Sequence, residues 1–221
     1  MSRLDPEQVA TLLQKAPPGS LIYLVGAGGC GMSGLAHLLL DAGFAVAGSD
    51  VADSAAIHEL RDRGATLHLG HSAAHVQAAQ PILLAYTSAV RRDNPELTAA
   101  EQMEIPIVRR AVLLAALLSL QRGICVAGMH GKTTTSALLA FALEHLQAQP
   151  SYAVGAVVPQ LPRHARYSRA GAAVAYGVIL VGEGVGVCAP IARPRQPREW
   201  VVGVGDDHRL RHAAAGRANV T

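Results

Sequence analysis

The chain has 221 residues, of which 50% are hydrophobic, 16% charged and only 4% aromatic. That composition excludes a disordered chain and a coiled coil, leaves room for one large domain or two small ones, and argues against an aromatic stacking platform for nucleic acid. The formal charge of +3 is unevenly placed: residues 163–221 hold nine Arg, no Lys and four acidic residues, a net of +5, which leaves residues 1–162 at −2.

In chain order, the opening MSRLDPEQVATLLQKAPPGS has no basic start followed by an apolar stretch, so it reads as a short helix capped by Asp5 before Pro6 and not as a signal peptide. From Leu21, short aliphatic or β-branched runs alternate with stretches rich in Ala and Leu, the pattern of a parallel sheet wrapped by helices. The expected strands are 21–25, 44–48, 66–69, 82–86, 107–108 and 124–127. The expected helices are 32–42, 55–63, 73–80, 95–103, 110–120 and 132–147, with Asn94 and Pro95 as cap and first residue of the fourth. The apolar run 111–120 is about half of the roughly 20 residues that a bilayer crossing needs, and is read as a buried helix of a soluble protein. Gln121, Arg122 and Gly123 break the helical pattern just before a new strand, which sets the expected boundary between a first domain at 1–121 and a second that begins at 122–162. From about Pro159 the sequence mixes Arg, Ala, Gly and Pro with no sustained period, so 163–221 is expected to be an irregular tail in which 177–187 alone reads as β-rich. Cys30, Cys125 and Cys188 form no CxxC pair, so neither a zinc site nor a disulfide framework is expected, and a reducing cytoplasm is the expected location. Asp206, Asp207 and His208, set in irregular sequence, are not taken as a metal site.

Two glycine-rich loops carry the chemistry. Gly26, Ala27, Gly28, Gly29, Cys30 and Gly31 fit G-x-G-x-x-G between the first strand and a helix, where glycines let the backbone approach a pyrophosphate and the helix start holds its charge. Asp50 follows 19 residues after the last glycine, at the end of the second strand, where a carboxylate suits a ribose hydroxyl. The motif leaves open a dinucleotide, a nucleotide sugar or a purely structural turn. The second loop, Gly128, Met129, His130, Gly131, Lys132, Thr133 and Thr134, is a shortened Walker-type G-x-x-G-K-T-T, since Val126 stands where the full motif has its first glycine. Its backbone can cradle the phosphates of ATP, Lys132 can neutralise the β/γ oxygens and the Thr133 hydroxyl can ligate Mg²⁺. Lys132 is one of only two lysines, the other being Lys15. His71, Ser88, Asn94, Arg109 and Arg110 fall at expected strand ends, and each taken singly is an ordinary loop, cap or surface residue.

Taken together, GAGGCGMSGLA, AGSD, TSAVRRDNPELTAA, IPIVRRAVLLAALL and VAGMHGKTTTSALL resemble, in order and spacing, the Mur ligases of peptidoglycan synthesis, over about residues 21–161. The resemblance is strongest to members that add L-alanine to UDP-N-acetylmuramate, and a murein tripeptide ligase of cell-wall recycling is a near relative. It implies a Rossmann-like UDP-sugar domain, a central P-loop ATPase domain and a third domain for the amino acid. It implies that ATP converts the lactyl carboxylate to an acyl phosphate, which the amine of L-alanine attacks to release phosphate. Gly26, Ala27, Gly28, Gly29, Gly31, Asp50, His71, Ser88, Asn94 and Arg109 would then serve the UDP sugar, and Gly128 to Thr134 the ATP, with Lys132 and Thr133 catalytic and Thr133 on Mg²⁺. No nucleic-acid partner and no membrane insertion are expected. Met129 stands where the family usually has Thr, and the acidic and DH segments of the central domain have no counterpart after Leu161. The expectation is therefore a truncated, inactive ligase whose reading frame shifted near Pro162, with a divergent genuine tail or a non-catalytic nucleotide-sugar-binding module as the alternatives.

Overall fold

The computed structural model describes residues 4–121, 123–128, 130–168, 174–177 and 200–204. A first parallel sheet has the order β3-β2-β1-β4-β5, built from β1 (Leu21–Val25), β2 (Ala45–Asp50), β3 (Thr66–Leu69), β4 (Leu83–Tyr86) and β5 (Ile107–Arg109). Helices lie on both faces: α1 (Pro6–Lys15), α2 (Cys30–Ala42), α3 (Ala55–Asp62), α4 (Ala73–Ala79), α5 (Pro95–Gln102) and α6 (Arg110–Ser119). The unbroken apolar run of β1 follows from this, because a central parallel strand is covered on both sides. Ile22 and Leu24 face a core with α1, α2, α3 and α6, whereas Tyr23 and Val25 face the opposite core with α4 and α5.

Local chemistry fixes the element ends. Asp5 closes a capping box on α1, accepting the Gln8 N–H at 2.8 Å while Gln8 Oε1 accepts the Asp5 N–H at 3.0 Å. The helix lays Val9 and Leu13 onto α6. β2 extends to Asp50, two residues beyond the expected end, because Gly48, Ser49 and Asp50 still pair with β3, and Gly48 and Ser49 also with β1. α2 starts at Cys30 rather than 32, with Gly29 as its cap. Among the described residues no helix is long and apolar enough to cross a membrane.

A second sheet of order β10-β6-β9-β7-β8 contains β6 (Gly123–Gly128), β7 (Ser151–Ala153), β8 (Ala165–Arg166), β9 (Val174–Gly177) and β10 (Trp200–Val204), with α7 (Lys132–His145) following β6. Its pairs are parallel except β7 with β8. The tail, expected to be irregular outside 177–187, contributes strands elsewhere: β9 and β10 flank β6, whose backbone polar groups need partners on both edges. Of the expected 177–187 stretch only Gly177 lies within the described residues, and Asp206, Asp207 and His208 lie outside them.

The sheets meet where β7 and β8 pack on α2. Asp41, at the end of α2, accepts from Arg63 Nη2 at 2.5 Å, from Arg163 Nη2 at 3.4 Å and from the Tyr167 N–H at 3.0 Å. One turn earlier, fully buried His37 receives Arg63 Nη1 on Nδ1 at 2.6 Å and has Nε2 3.4 Å from Glu59. Burial first, and then the Arg63 charge, lower its pKa to about 4, so this ring is neutral with its proton on Nε2.

Candidate functional site

The strand order reverses at β1, with β2 and β3 on one side and β4 and β5 on the other, so the loops leaving β1 and β4 part at the carboxyl edge of the sheet. A cleft of about 990 Å³ opens there. Of the residues expected on the sugar-nucleotide side, Gly26, Gly28, Gly29, Gly31, Asp50, His71, Ser88 and Asn94 line it. Ala27 and Arg109 do not. Ala27 is fully buried in the core beneath the loop. Arg109 ends β5 on an exposed position, and the adjacent Arg110, first residue of α6, reaches the cleft instead. Its Nη1 lies 3.0 Å from where a Cβ on Gly31 would sit, which puts a guanidinium beside the start of α2.

The loop divides its donors. The N–H groups of Gly26 and Ala27 are taken by the Ser49 carbonyl at 2.8 and 3.0 Å, and the Gly28 N–H by Asp50 Oδ2 at 2.8 Å. The first part of the loop is thus tied to β2, and an anion would meet the N–H groups at the start of α2, where the sequence reading placed the charge-holding role. Asp50 also accepts the Ala52 N–H at 3.0 Å, so its first role here is to hold two turns in place, while a carboxylate has lone pairs to spare for a ribose hydroxyl. Gly26 has φ +82°, and a Cβ there would stand 2.7 Å from Thr87 Cγ2, so the turn requires glycine.

Beneath the cleft lies a group with no obvious signal in the sequence. Glu96, in the first turn of α5, has no exposed surface and accepts from the Tyr23 hydroxyl at 2.7 Å and the Ser49 hydroxyl at 2.5 Å. His71 Nδ1 and His75 Nδ1 approach the same carboxylate at 3.0 and 3.2 Å, and the Ser72 N–H at 3.4 Å. Burial, followed by the Glu96 contact, holds the Tyr23 hydroxyl far above its ordinary pKa, so it stays protonated and donates. His75 stacks on His68 with ring centroids 4.1 Å apart, and burial and that neighbour lower the His68 pKa.

The second sheet closes one side of the cleft through Ala153, Val154 and Gly155. His164 Nε2 lies 3.2 Å from the Cys30 carbonyl and 3.4 Å from Ser33 Oγ, and Cys30 Sγ lies 3.5 Å from the Gly155 carbonyl. These contacts join elements more than a hundred residues apart in sequence, which is why no motif announced them.

The second glycine loop connects β6 to α7. Gly131 caps the 14-residue α7 at φ 76°, with no side-chain cap, and His130, Thr133 and Thr134 are exposed while Lys132 is half-buried. Met129 lies outside the described residues. An uncapped helix start beside a lysine and a hydroxyl suits phosphate. Thr133 can give one oxygen ligand to Mg²⁺, which otherwise takes phosphate oxygens and water. Among the described residues no group of three or more His, Cys, Asp or Glu is placed to hold a metal.

A parallel sheet whose strand order reverses at β1, with helices on both faces and a glycine loop, a helix start and an arginine at the reversal point, defines a doubly wound α/β protein. Residues 21–122 match the family described as Mur ligase family, catalytic domain. It is 42% identical over 176 residues to the UDP-N-acetylmuramate–L-alanine ligase of Saccharopolyspora erythraea, covering 78% of this chain and 35% of that protein. The crystal structure of the UDP-N-acetylmuramate–alanine ligase of Thermotoga maritima superposes with a TM-score of 0.65 at 33% identity, over 71% of this chain and 36% of that one. The UDP-N-acetylmuramate:L-alanyl-γ-D-glutamyl-meso-diaminopimelate ligase of Neisseria meningitides gives a TM-score of 0.66 at 26% identity, over 72% of this chain and 52% of that one. The chain spans about a third of the length of the curated relatives it matches.

Proposed function

We propose that this chain carries the sugar-nucleotide half of an ATP-dependent ligase, binding UDP-N-acetylmuramate in the cleft after β1 for amide formation with L-alanine. The observation that supports it most is the convergence of the α2 start, Arg110 and Asp50 on one glycine loop, which provides a cationic seat for a diphosphate and a carboxylate for a ribose. His71, Ser88 and Asn94 line the same cleft and suit the remainder of the ligand. In the reaction, the lactyl carboxylate takes the γ-phosphoryl group with loss of ADP, and the amine then displaces phosphate from the acyl carbon.

On this reading the expected domain boundary at 121/122 separates the sugar domain from the start of a P-loop ATP-binding domain. The loop from Gly128 to Thr134 holds the ATP phosphates, with Lys132 on the β/γ oxygens and the Thr133 hydroxyl on Mg²⁺, which supplies charge neutralisation at the γ-phosphate. The reaction is that of the cytoplasmic steps of peptidoglycan synthesis. Calorimetry with UDP-N-acetylmuramate tests the binding step, and ADP release tests the rest. Saturable binding of the sugar nucleotide is expected, and failure to bind it, or preference for NAD, overturns the reading. ADP release dependent on L-alanine would assign the whole reaction to this chain. Binding without turnover would assign it the sugar-nucleotide module alone, and turnover dependent on a murein tripeptide would place it with the recycling ligases, which the Neisseria neighbour favours.

A further inference from the structure

We propose that Glu96 is a positioning residue for the cleft: its buried carboxylate fixes the tautomer and orientation of His71, so that Nε2 is the ring atom offered to the bound nucleotide. The proposal rests on the sugar-nucleotide reading and adds to it a residue that touches no ligand.

The hydrogen-bond inventory leads to this assignment. Glu96 Oε2 is 2.5 Å from the Ser49 hydroxyl and 3.0 Å from His71 Nδ1, and Ser49 Oγ is itself 2.8 Å from His71 Nδ1. Ser49 has a single proton, and its shortest contact is to the carboxylate, so Ser49 Oγ is the acceptor toward the ring. Both neighbours of Nδ1 are then acceptors, and the proton belongs on Nδ1. In the neutral ring this leaves Nε2 as an acceptor, suited to a ribose hydroxyl or a base N–H, on a side chain that lines the cleft. The other oxygen, Oε1, is filled by the Tyr23 hydroxyl at 2.7 Å, His75 Nδ1 at 3.2 Å and the Ser72 N–H at 3.4 Å. Donors thus arrive on both sides, and a carboxylate that only accepts is what they require. A glutamine in its place would turn an NH₂ toward one set of donors.

The test reads the ring directly. ¹⁵N NMR of the imidazoles in the full chain at pH 8, where an ordinary histidine is neutral, should show His71 with its proton on Nδ1. Glu96→Gln should move His71 toward the Nε2-protonated form and weaken UDP binding by about tenfold, the usual scale for one lost oriented hydrogen bond near a charged group. Glu96→Asp, which keeps the acceptor, should restore part of the affinity. An Nε2-protonated His71 in the wild-type chain overturns the proposal without any variant, and so does a Glu96→Gln chain that keeps both the tautomer and the UDP affinity. Should Glu96→Gln not fold, Ser49→Ala removes the shared hydroxyl alone and should still shift the His71 signals. If the wild-type chain does not bind UDP but His71 carries its proton on Nδ1, the sugar-nucleotide reading fails while the positioning role of Glu96 stands.

Discussion

Gly26 and His37 show how single residues set the behaviour of the first sheet. Gly26→Ala forces a Cβ into a left-handed turn and against Thr87 Cγ2 at 2.7 Å, so a loss of about 1–2 kcal/mol in urea denaturation is expected, together with a weaker cleft. His37 has a folded pKa of about 4, below the ordinary value near 6.5, because burial and Arg63 disfavour its charge. Between those values the unfolded chain binds the proton and the folded one does not. Its contribution is therefore undiminished above about pH 6.5 and erodes as the pH falls toward about 4. Replacing His37 by Gln, which can still accept from Arg63, should make the fall in stability between pH 6 and 4.5 shallower by about 1.4 kcal/mol per pH unit. Equal slopes in the two chains would show that the ring protonates without cost.

At the scale of elements, the caps carry the start of α5 and the floor of the cleft together. Asn94 Oδ1 accepts the Glu96 N–H at 2.8 Å, and Asn94→Ala should cost about 1 kcal/mol and loosen the His71 environment, seen as faster amide exchange at Glu96. The Asn-Pro start of this helix was legible because cap and first-turn preferences are local. So were β1 and β3, whose apolar runs end at glycine or turn residues, and whose observed limits match the expected ones. The Glu96 cluster was not legible. A glutamate after Pro95 reads as a companion of the helix dipole, and its partners Tyr23, Ser49 and His71 lie 73, 47 and 25 residues away, brought together only by the parallel register. Arg109 and Arg110 were both candidate contacts from the sequence, and Arg110 is the one that lines the cleft, because the chain changes from strand to helix between them and with it the direction of the side chain.

For the whole molecule, the joint between the sheets rests on few groups. Asp41, largely buried, holds Arg63, Arg163 and the Tyr167 N–H, and its removal leaves two guanidinium groups facing each other. Asp41→Ala should cost about 3 kcal/mol and raise hydrogen exchange at Tyr167 more than in β1. Exchange unchanged at Tyr167 would mean that apolar packing on α2 holds the joint without the carboxylate. Beside it, Gly34 on α2 lies under the His164 ring, where an added Cβ would approach Nε2 at 3.2 Å. The helix that begins at the glycine loop therefore has one side shaped by the loop and another by a hairpin from the second sheet. Exchanging the first sheet alone between two related chains would leave that helix against a foreign hairpin, so chimaeras should tolerate a crossover after residue 168 better than one at the sheet boundary, and the two segments are expected to be inherited as a pair.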